Sequence, residues 1–137
     1  NTEAQFALPE TQGRWLEVAN SDQVERVITS VRETLPSGGT SLYNAFEFLN
    51  ELDSKPDNIF IITDGLPTQG RDTPRKNTVS GPARLKHYRD AIDKLPANVP
   101  VNVVLSPMEG DPMAASEFWK LAQNTGGSFM APAEDWP

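Results

Sequence analysis

Asn58-Ile59-Phe60-Ile61-Ile62-Thr63-Asp64-Gly65-Leu66-Pro67-Thr68 is the stretch of this chain that decides its fold. The five residues Ile59 to Thr63 are largely apolar and β-branched, and turn residues follow them. That length and composition predict a strand buried on both faces, as in a parallel sheet. Asp64 comes directly after the strand, and ligands bind at the carboxyl ends of strands in open α/β sheets. The simpler alternative is that Asp64 only forms a turn with Gly65.

Length and composition limit the classes of protein to which the chain can belong. Its 137 residues suit one domain. The net charge of −7 argues against binding to nucleic acid or to an anionic membrane. A negative surface suits a divalent cation or a basic partner, although solubility explains it equally well. The sequence has no cysteine for a disulfide or a thiolate metal site, and no membrane-spanning segment.

The first part of the chain predicts a pair of short strands and a helix. Gln5–Leu8 and Arg14–Val18 favour a hairpin, or one edge strand with an irregular return. Asn20–Asp22 supplies candidates for a helix N-cap, and Pro36–Gly39 ends the helix. Its apolar residues have helical spacing and form one stripe, which we expect to lie on a sheet: Val24, Val27, Ile28, Val31 and Leu35.

Two further helices flank the central strand. The first begins at Thr40-Ser41, and the second begins at Pro82 after a long polar loop, Gly65–Gly81, of the kind that is functional or mobile. The inward residues of these two helices are predicted to be Leu42, Ala45, Phe46, Leu49 and Leu52, then Leu85, Tyr88, Ile92 and Leu95. His87 has no partner for a transition-metal site and is predicted to be a solvated helix residue.

The last part of the chain alternates strand and helix. Val101–Leu105 predicts a second buried strand, about Met113 to Asn124 a fourth helix, and Ser128–Ala131 a short last strand. The fourth helix is expected to bury Ala114, Phe118, Leu121 and Ala122. This alternation predicts an α/β fold with a mainly parallel sheet and helices on both faces.

Thr40 and Asp64 are the candidate metal ligands. One begins a helix and the other ends the strand that follows it, so both are predicted to lie at the same rim of the sheet, with adjacent loops. A hydroxyl and a carboxylate supply the oxygen ligands that Mg²⁺ prefers, and Mg²⁺ usually keeps several waters. Gly38 and Gly39 would let the backbone approach an ion closely. Two oxygens alone make a weak site.

Two short motifs stand at this rim: Ser37-Gly38-Gly39-Thr40-Ser41-Leu42, then Ile61-Ile62-Thr63-Asp64-Gly65. In this order they resemble the second and third loops of the metal-ion-dependent adhesion site in von Willebrand factor type A (vWA) domains. The resemblance covers nearly all of the chain and implies a Rossmann-like fold. It implies that Thr40 ligates Mg²⁺ or Mn²⁺ directly, and that Asp64 acts through water. It further implies a protein ligand whose acidic side chain takes the open coordination position.

One motif of that family is missing from the chain. The Asp-x-Ser-x-Ser motif does not occur in these 137 residues. Gln5–Leu8 matches the family's third strand, so the resemblance implies one partial domain, residues 1–137, that lacks the first two strands and the first helix. We therefore expect an incomplete metal site. We also expect the edge of Ile59–Thr63 to pair with a missing N-terminal segment or with a second copy of the chain.

Three functions follow from these observations. The first is a protein-binding module of vWA type, not an enzyme. The second is an α/β enzyme with phosphate held at Gly38–Thr40 and Mg²⁺ at Asp64, although no lysine follows the glycines and no nucleophile–base pair is visible. The third is a purely structural or assembly fragment. The ending, Trp119 to Pro137, resembles bacterial vWA proteins, which favours a periplasmic or membrane-anchored location.

Overall fold

The computed structural model describes residues 4–11, 13–35, 38–73, 78–106 and 109–132. These residues form a mixed α/β structure, as the sequence predicts. Its helices are α1 (Ser21–Glu33), α2 (Leu42–Glu51), α3 (Gly81–Ile92) and α4 (Ala114–Thr125), and its strands are β1 (Ile59–Thr63), β2 (Val101–Leu105) and β3 (Phe129–Met130). Ser37 and the middle of the predicted loop Gly65–Gly81, residues 74–77, lie outside the described residues.

The sheet is parallel, with strand order β1-β2-β3. Ile59 pairs with Val101 and Thr63 with Leu105, and β3 continues the ladder opposite Val103 and Val104. Helix α3 connects β1 to β2, and α4 connects β2 to β3, so both crossovers are of the strand–helix–strand type. The predicted parallel sheet and the bounds of its two longer strands are confirmed.

One hydrophobic core lies between the sheet and α2, α3 and α4. The sheet contributes alternate residues of β1 and β2, because successive side chains of a strand point to opposite faces. Tyr88 of α3 and Phe118 of α4 meet edge to face, with ring centroids 5.3 Å apart. The buried residues of this core include Leu42, Phe46, Ile59, Ile61, Leu66, Tyr88, Ala91, Val101, Val103, Leu105, Ala114, Phe118 and Leu121. All four residues predicted to be buried on α4 are buried.

The second face of β1 is exposed. Phe60 is 73% exposed and Ile62 is 82% exposed, whereas Ile59 and Ile61 are buried. The prediction that this strand is buried on both faces, with helices on both faces of the sheet, is therefore wrong for β1. An apolar run of this length can lie at the edge of a sheet as well as in its centre, and periodicity alone does not distinguish the two.

Helix α1 forms where the sequence predicts it but does not pack on the sheet. Its N-cap is Asn20, whose side chain accepts a hydrogen bond from the Gln23 amide at 3.3 Å. No residue of α1 is buried, and Ile28, Val31 and Leu35 are exposed. The prediction that this stripe lies on the sheet is wrong, because an amphipathic pattern identifies an apolar face but not what covers it.

The segment before α1 contains no strand among residues 4–11 and 13–20. It forms a short 3₁₀-helix at Pro9–Thr11 instead, and both the amide and the hydroxyl of Thr11 donate to the Leu8 carbonyl, at 2.9 and 2.7 Å. Both predicted alternatives, the hairpin and the single edge strand, are therefore wrong, because local turns satisfy part of the backbone there. The Phe6 ring packs edge to face on Phe48 of α2, with centroids 5.0 Å apart.

The buried face of α3 differs by one position from the predicted one. Tyr88 is buried as expected, but the other buried positions are Arg84 and Ala91, while Leu85 and Ile92 are half-buried. Alanine at position 91 allows a close approach between α3 and its neighbours. No helix in the described part of the chain is long and apolar enough to cross a membrane.

Candidate functional site

Two loops meet at the carboxyl end of β1. We name residues 38–41, which precede α2, the Gly loop, and residues 64–71, which follow β1, the Asp loop. The Gln69 amide donates to the Thr40 carbonyl at 3.0 Å, and the Thr40 amide donates to the Thr68 hydroxyl at 3.0 Å. One bond between backbone groups and one to a side-chain hydroxyl thus fix both polar groups of the Thr40 backbone against the Asp loop. The predicted adjacency of these two loops is confirmed.

Ser41 connects the start of α2 to the same loop. Its buried hydroxyl accepts from the Asn44 amide at 3.3 Å, which caps the helix, and donates to the Gly70 carbonyl at 2.7 Å. The Asn44 side chain donates to the Arg71 carbonyl at 3.0 Å. The first turn of α2 is therefore fixed to the Asp loop through side chains as well as through the backbone.

Gly39 allows the close approach of the two loops. A Cβ atom at this position would lie 2.6 Å from the Thr68 hydroxyl and 2.6 Å from Nε2 of Gln69, which is buried. Contacts this short are excluded, so any other residue at position 39 would displace the side chains of Thr68 and Gln69. Gly38 has a φ of 70°, in the left-handed region where glycine is favoured.

Thr40 and Asp64 line one cleft. The cleft has a volume of about 640 Å³ and includes Ser106, the first residue after β2. Thr40, Asp64 and Ser106 are all exposed. Neither the Thr40 hydroxyl nor the Asp64 carboxylate forms a hydrogen bond or an ion pair with any residue that the structure describes. The structure thus brings both predicted site residues to the same rim, with their oxygen atoms available to a ligand.

Ser106 is a residue of this cleft that sequence reasoning did not single out. Its amide donates to the Thr63 carbonyl at 2.9 Å, which continues the β1–β2 ladder by one residue and places Ser106 beside Asp64. The sequence feature that could have identified Ser106 is its position directly after a buried strand. Because β1 and β2 are neighbours, their carboxyl ends meet at one rim, and the residue after each strand lies there.

The cleft suits a hard cation better than a transition metal. Its polar side chains are hydroxyls, one carboxylate and the amide of Gln5, and oxygen ligands are those that Mg²⁺ prefers. Within residues 4–11, 13–35, 38–73, 78–106 and 109–132, no three His, Cys, Asp or Glu side chains are grouped closely enough to hold a metal. A cation held by Thr40 and Asp64 would therefore complete its coordination with water or with a ligand from a partner.

A buried ion pair lies behind the Asp loop. Arg84 and Asp111 are 3.3 Å apart, and their side chains are only 10% and 3% exposed. Asp111 accepts from the Leu66 amide at 2.7 Å, while Arg84 donates to the Leu66 carbonyl through Nε at 3.1 Å and Nη2 at 2.7 Å. A Cβ at Gly65 would be 2.7 Å from Asp111 Oδ2 and 3.0 Å from Arg84 Nη2, so a larger residue there would displace the buried pair. The sequence contains no local signal for this pair.

His87 is half-buried rather than fully solvated. It packs against Gly70 of the Asp loop, where a Cβ would lie 2.8 Å from the imidazole Nδ1. The histidine thus contributes to the support of this loop.

Comparison of the chain with models of protein families, with curated proteins and with solved structures finds no match. The resemblance to vWA domains therefore rests on the two motifs and on the order of elements around them.

Proposed function

We propose that this chain is a protein-binding module of vWA type, which holds an acidic ligand through Mg²⁺ or Mn²⁺ at the cleft between the Gly loop and the Asp loop. One observation carries the proposal. Thr40 and Asp64 come from different loops, and both offer exposed oxygen atoms without partners among the described residues to the same cleft.

The two candidate ligands would have different roles. The Asp64 carboxylate supplies negative charge, which attracts a divalent cation, and the Thr40 hydroxyl supplies a neutral oxygen. Ser106 adds a second hydroxyl at the rim. Mg²⁺ commonly keeps several waters when a protein binds it through one or two groups. A bound cation would thus have a coordination position that a carboxylate from the partner could take in place of water.

The charge of the chain favours a cation-dependent mode of binding for an acidic ligand. With a net charge of −7, the protein repels a partner carboxylate at long range. A bound divalent cation reverses the local sign of charge at the cleft. Binding of an acidic ligand is therefore expected to depend on the cation and to be abolished by a chelator.

The first test measures binding of Mn²⁺ by loss of the electron paramagnetic resonance signal of the free ion. We expect Asp64→Asn and Thr40→Ala to weaken Mn²⁺ binding by about tenfold or more, since the first removes the negative charge of the site and the second removes a hydroxyl oxygen. Asp57→Asn is the matched control, because Asp57 is an exposed carboxylate at the opposite end of β1. Wild-type affinity in Asp64→Asn would overturn the proposal.

The second test addresses the ligand. A peptide with a single glutamate is titrated with and without Mn²⁺, beside the same peptide with glutamine. We expect binding of the glutamate peptide only when Mn²⁺ is present. Protection of α2 by inorganic phosphate, with no effect of the peptide, would favour the phosphate-dependent enzyme instead.

A further inference from the structure

Arg84 and Asp111 form the only ion pair between largely buried side chains in the described residues, and neither has a role in the proposed ligand set. The other ion pairs there, such as Lys86–Asp90, are between more exposed groups. Burial of two charges is expensive, and a buried pair is weak evidence for a contribution to stability. Its position therefore calls for another explanation.

The pair holds both backbone polar groups of one residue. The Leu66 amide donates to Asp111, and the Leu66 carbonyl accepts two hydrogen bonds from the Arg84 guanidinium. The peptide planes on either side of Leu66 are thereby fixed in orientation. Leu66 lies two residues after Asp64 and is itself buried. Gly65, between Asp64 and Leu66, has no side chain, so the ion pair can approach the backbone closely.

The two side chains come from different elements. Arg84 belongs to the first turn of α3, while Asp111 precedes α4, and its carbonyl accepts from the Ala114 amide at 3.3 Å. The start of each helix that follows a strand is thus connected to the loop that carries Asp64. On the opposite side, the Gly loop holds the same segment through Thr68, Gln69 and Gly70.

We propose that Arg84 and Asp111 are positioning residues of the candidate metal site: they fix the backbone of the Asp loop so that the Asp64 carboxylate is held at the cleft with Thr40, and they thereby set its affinity for a divalent cation. This inference rests on the proposed function. Charge-assisted hydrogen bonds are shorter and stronger than neutral ones, which suits a pair that must hold a loop rigidly.

A purely structural ion pair would behave differently. Its loss would lower the free energy of unfolding, but the protein that remains folded would bind the cation as before. A positioning pair changes the cation affinity of the folded protein as well, so Mn²⁺ affinity is the readout that separates the roles. Exchange of the Leu66 amide reports in either case that the backbone has been released.

The central variant is Arg84→Met/Asp111→Leu. It removes both charges together, so no unpaired charge is left buried. The Leu66 amide and carbonyl lose their partners, so we expect a lower free energy of unfolding than that of the wild type. We expect it to fold, to bind Mn²⁺ roughly 10- to 100-fold more weakly than the wild type, as is typical when residues that orient a metal ligand are removed, and to exchange the Leu66 amide faster. The exposed pair Lys86→Met/Asp90→Leu is the matched control and is expected to bind Mn²⁺ as the wild type does.

Arg84→Lys provides the second variant. Lysine keeps the charge but cannot donate two hydrogen bonds from a planar group to one carbonyl. We expect it to retain the fold and to weaken Mn²⁺ binding by less than the double variant does. Wild-type Mn²⁺ affinity in a folded Arg84→Met/Asp111→Leu protein would overturn the inference.

The same measurements distinguish failure of the inference from failure of the proposed function. If Asp64→Asn weakens Mn²⁺ binding while the folded double variant binds normally, the proposed function stands and the inference is wrong. If Asp64→Asn and the wild type bind Mn²⁺ equally, or neither binds it, both are overturned.

Discussion

At the scale of the residue, the distance between the Gly loop and the Asp loop depends on the absence of one methyl group. We expect Gly39→Ala to displace Thr68 and Gln69, because the new Cβ would lie 2.6 Å from a polar atom of each. Overpacking of this kind costs about 1–3 kcal/mol in free energy of unfolding. Displacement of the loop also moves Asp64 relative to Thr40, so Mn²⁺ binding is expected to weaken.

The control for this variant is Gly81→Ala, since a Cβ at Gly81 meets no atom within 4 Å and the position is in α3. It is expected to be neutral or slightly stabilising. Chemical denaturation and Mn²⁺ titration of the two variants check the prediction. Equal stability and equal affinity of the two proteins would show that the loops tolerate the extra methyl group.

A second prediction at this scale concerns alkaline pH. Burial, and to a lesser extent the negative charge of Glu117, raises the pKa of Tyr88 well above its ordinary value of about 10. The folded protein therefore favours the neutral phenol, and its hydroxyl donates to the Glu117 carbonyl at 2.9 Å. The contribution of neutral Tyr88 to the free energy of unfolding is fully present below pH 10. It decreases as the pH rises above 10, because Tyr88 ionises there first in the unfolded chain.

Tyr88→Phe isolates this contribution. It is expected to be less stable than the wild type by about 0.5–1.5 kcal/mol at neutral pH, and the difference should shrink above pH 10. In a Tyr43→Phe background, Tyr88 is the sole tyrosine, so absorbance titration reports its ionisation alone. Ionisation near pH 10 in the folded protein would contradict the prediction.

At the scale of the element, burial separates α1 from α4. No residue of α1 is buried, and Val31 is 60% exposed, whereas Phe118 of α4 is completely buried. We expect Val31→Lys to change the free energy of unfolding by no more than about 0.5 kcal/mol. Phe118→Ala should cost about 3–5 kcal/mol, because it leaves a cavity between α3 and α4. Denaturant titration of both variants is the measurement, and a large loss in Val31→Lys would mean that α1 packs against another surface.

The elements themselves could be predicted from the sequence, but their surroundings could not. The ends of α2 and α4 follow from the cap at Ser41 and from Gly126, which adopts a left-handed conformation. These signals are local. The exposed faces of α1 and β1 were mispredicted as covered, because periodicity defines an apolar face without identifying its partner.

The candidate site shows the same division between local and non-local information. Thr40 and Asp64 could be placed at one rim because each follows directly from the start of a helix or the end of a strand. The contact between Arg84 and Asp111 could not be predicted from the sequence, because it depends on how α3 and the loop before α4 pack around Leu66. Nothing in the sequence around either residue indicates burial.

At the scale of the whole molecule, β1 forms one edge of the described sheet. The Ile59 amide donates to the Pro100 carbonyl, and the Thr63 carbonyl accepts from the Ser106 amide, so the odd-numbered residues of β1 pair with β2. The peptide groups of Phe60 and Ile62 therefore point away from β2. The side chains of the same two residues are exposed, and β1 itself carries no charged residue or proline to discourage pairing with another strand.

We expect two copies of the protein to associate through this edge. Because each copy has a net charge of −7, electrostatic repulsion opposes the contact, and added salt should screen it. Association is therefore expected to increase with ionic strength.

Light scattering at low and high salt measures this association. The variants Phe60→Lys and Ile62→Lys place a charge on the edge strand, and Val31→Lys is the control with the same change of charge on α1. We expect the two β1 variants to remain monomeric under conditions in which the control associates. A wild-type protein that is monomeric at every salt concentration, or variants that associate as the control does, would show that β1 is not the contact.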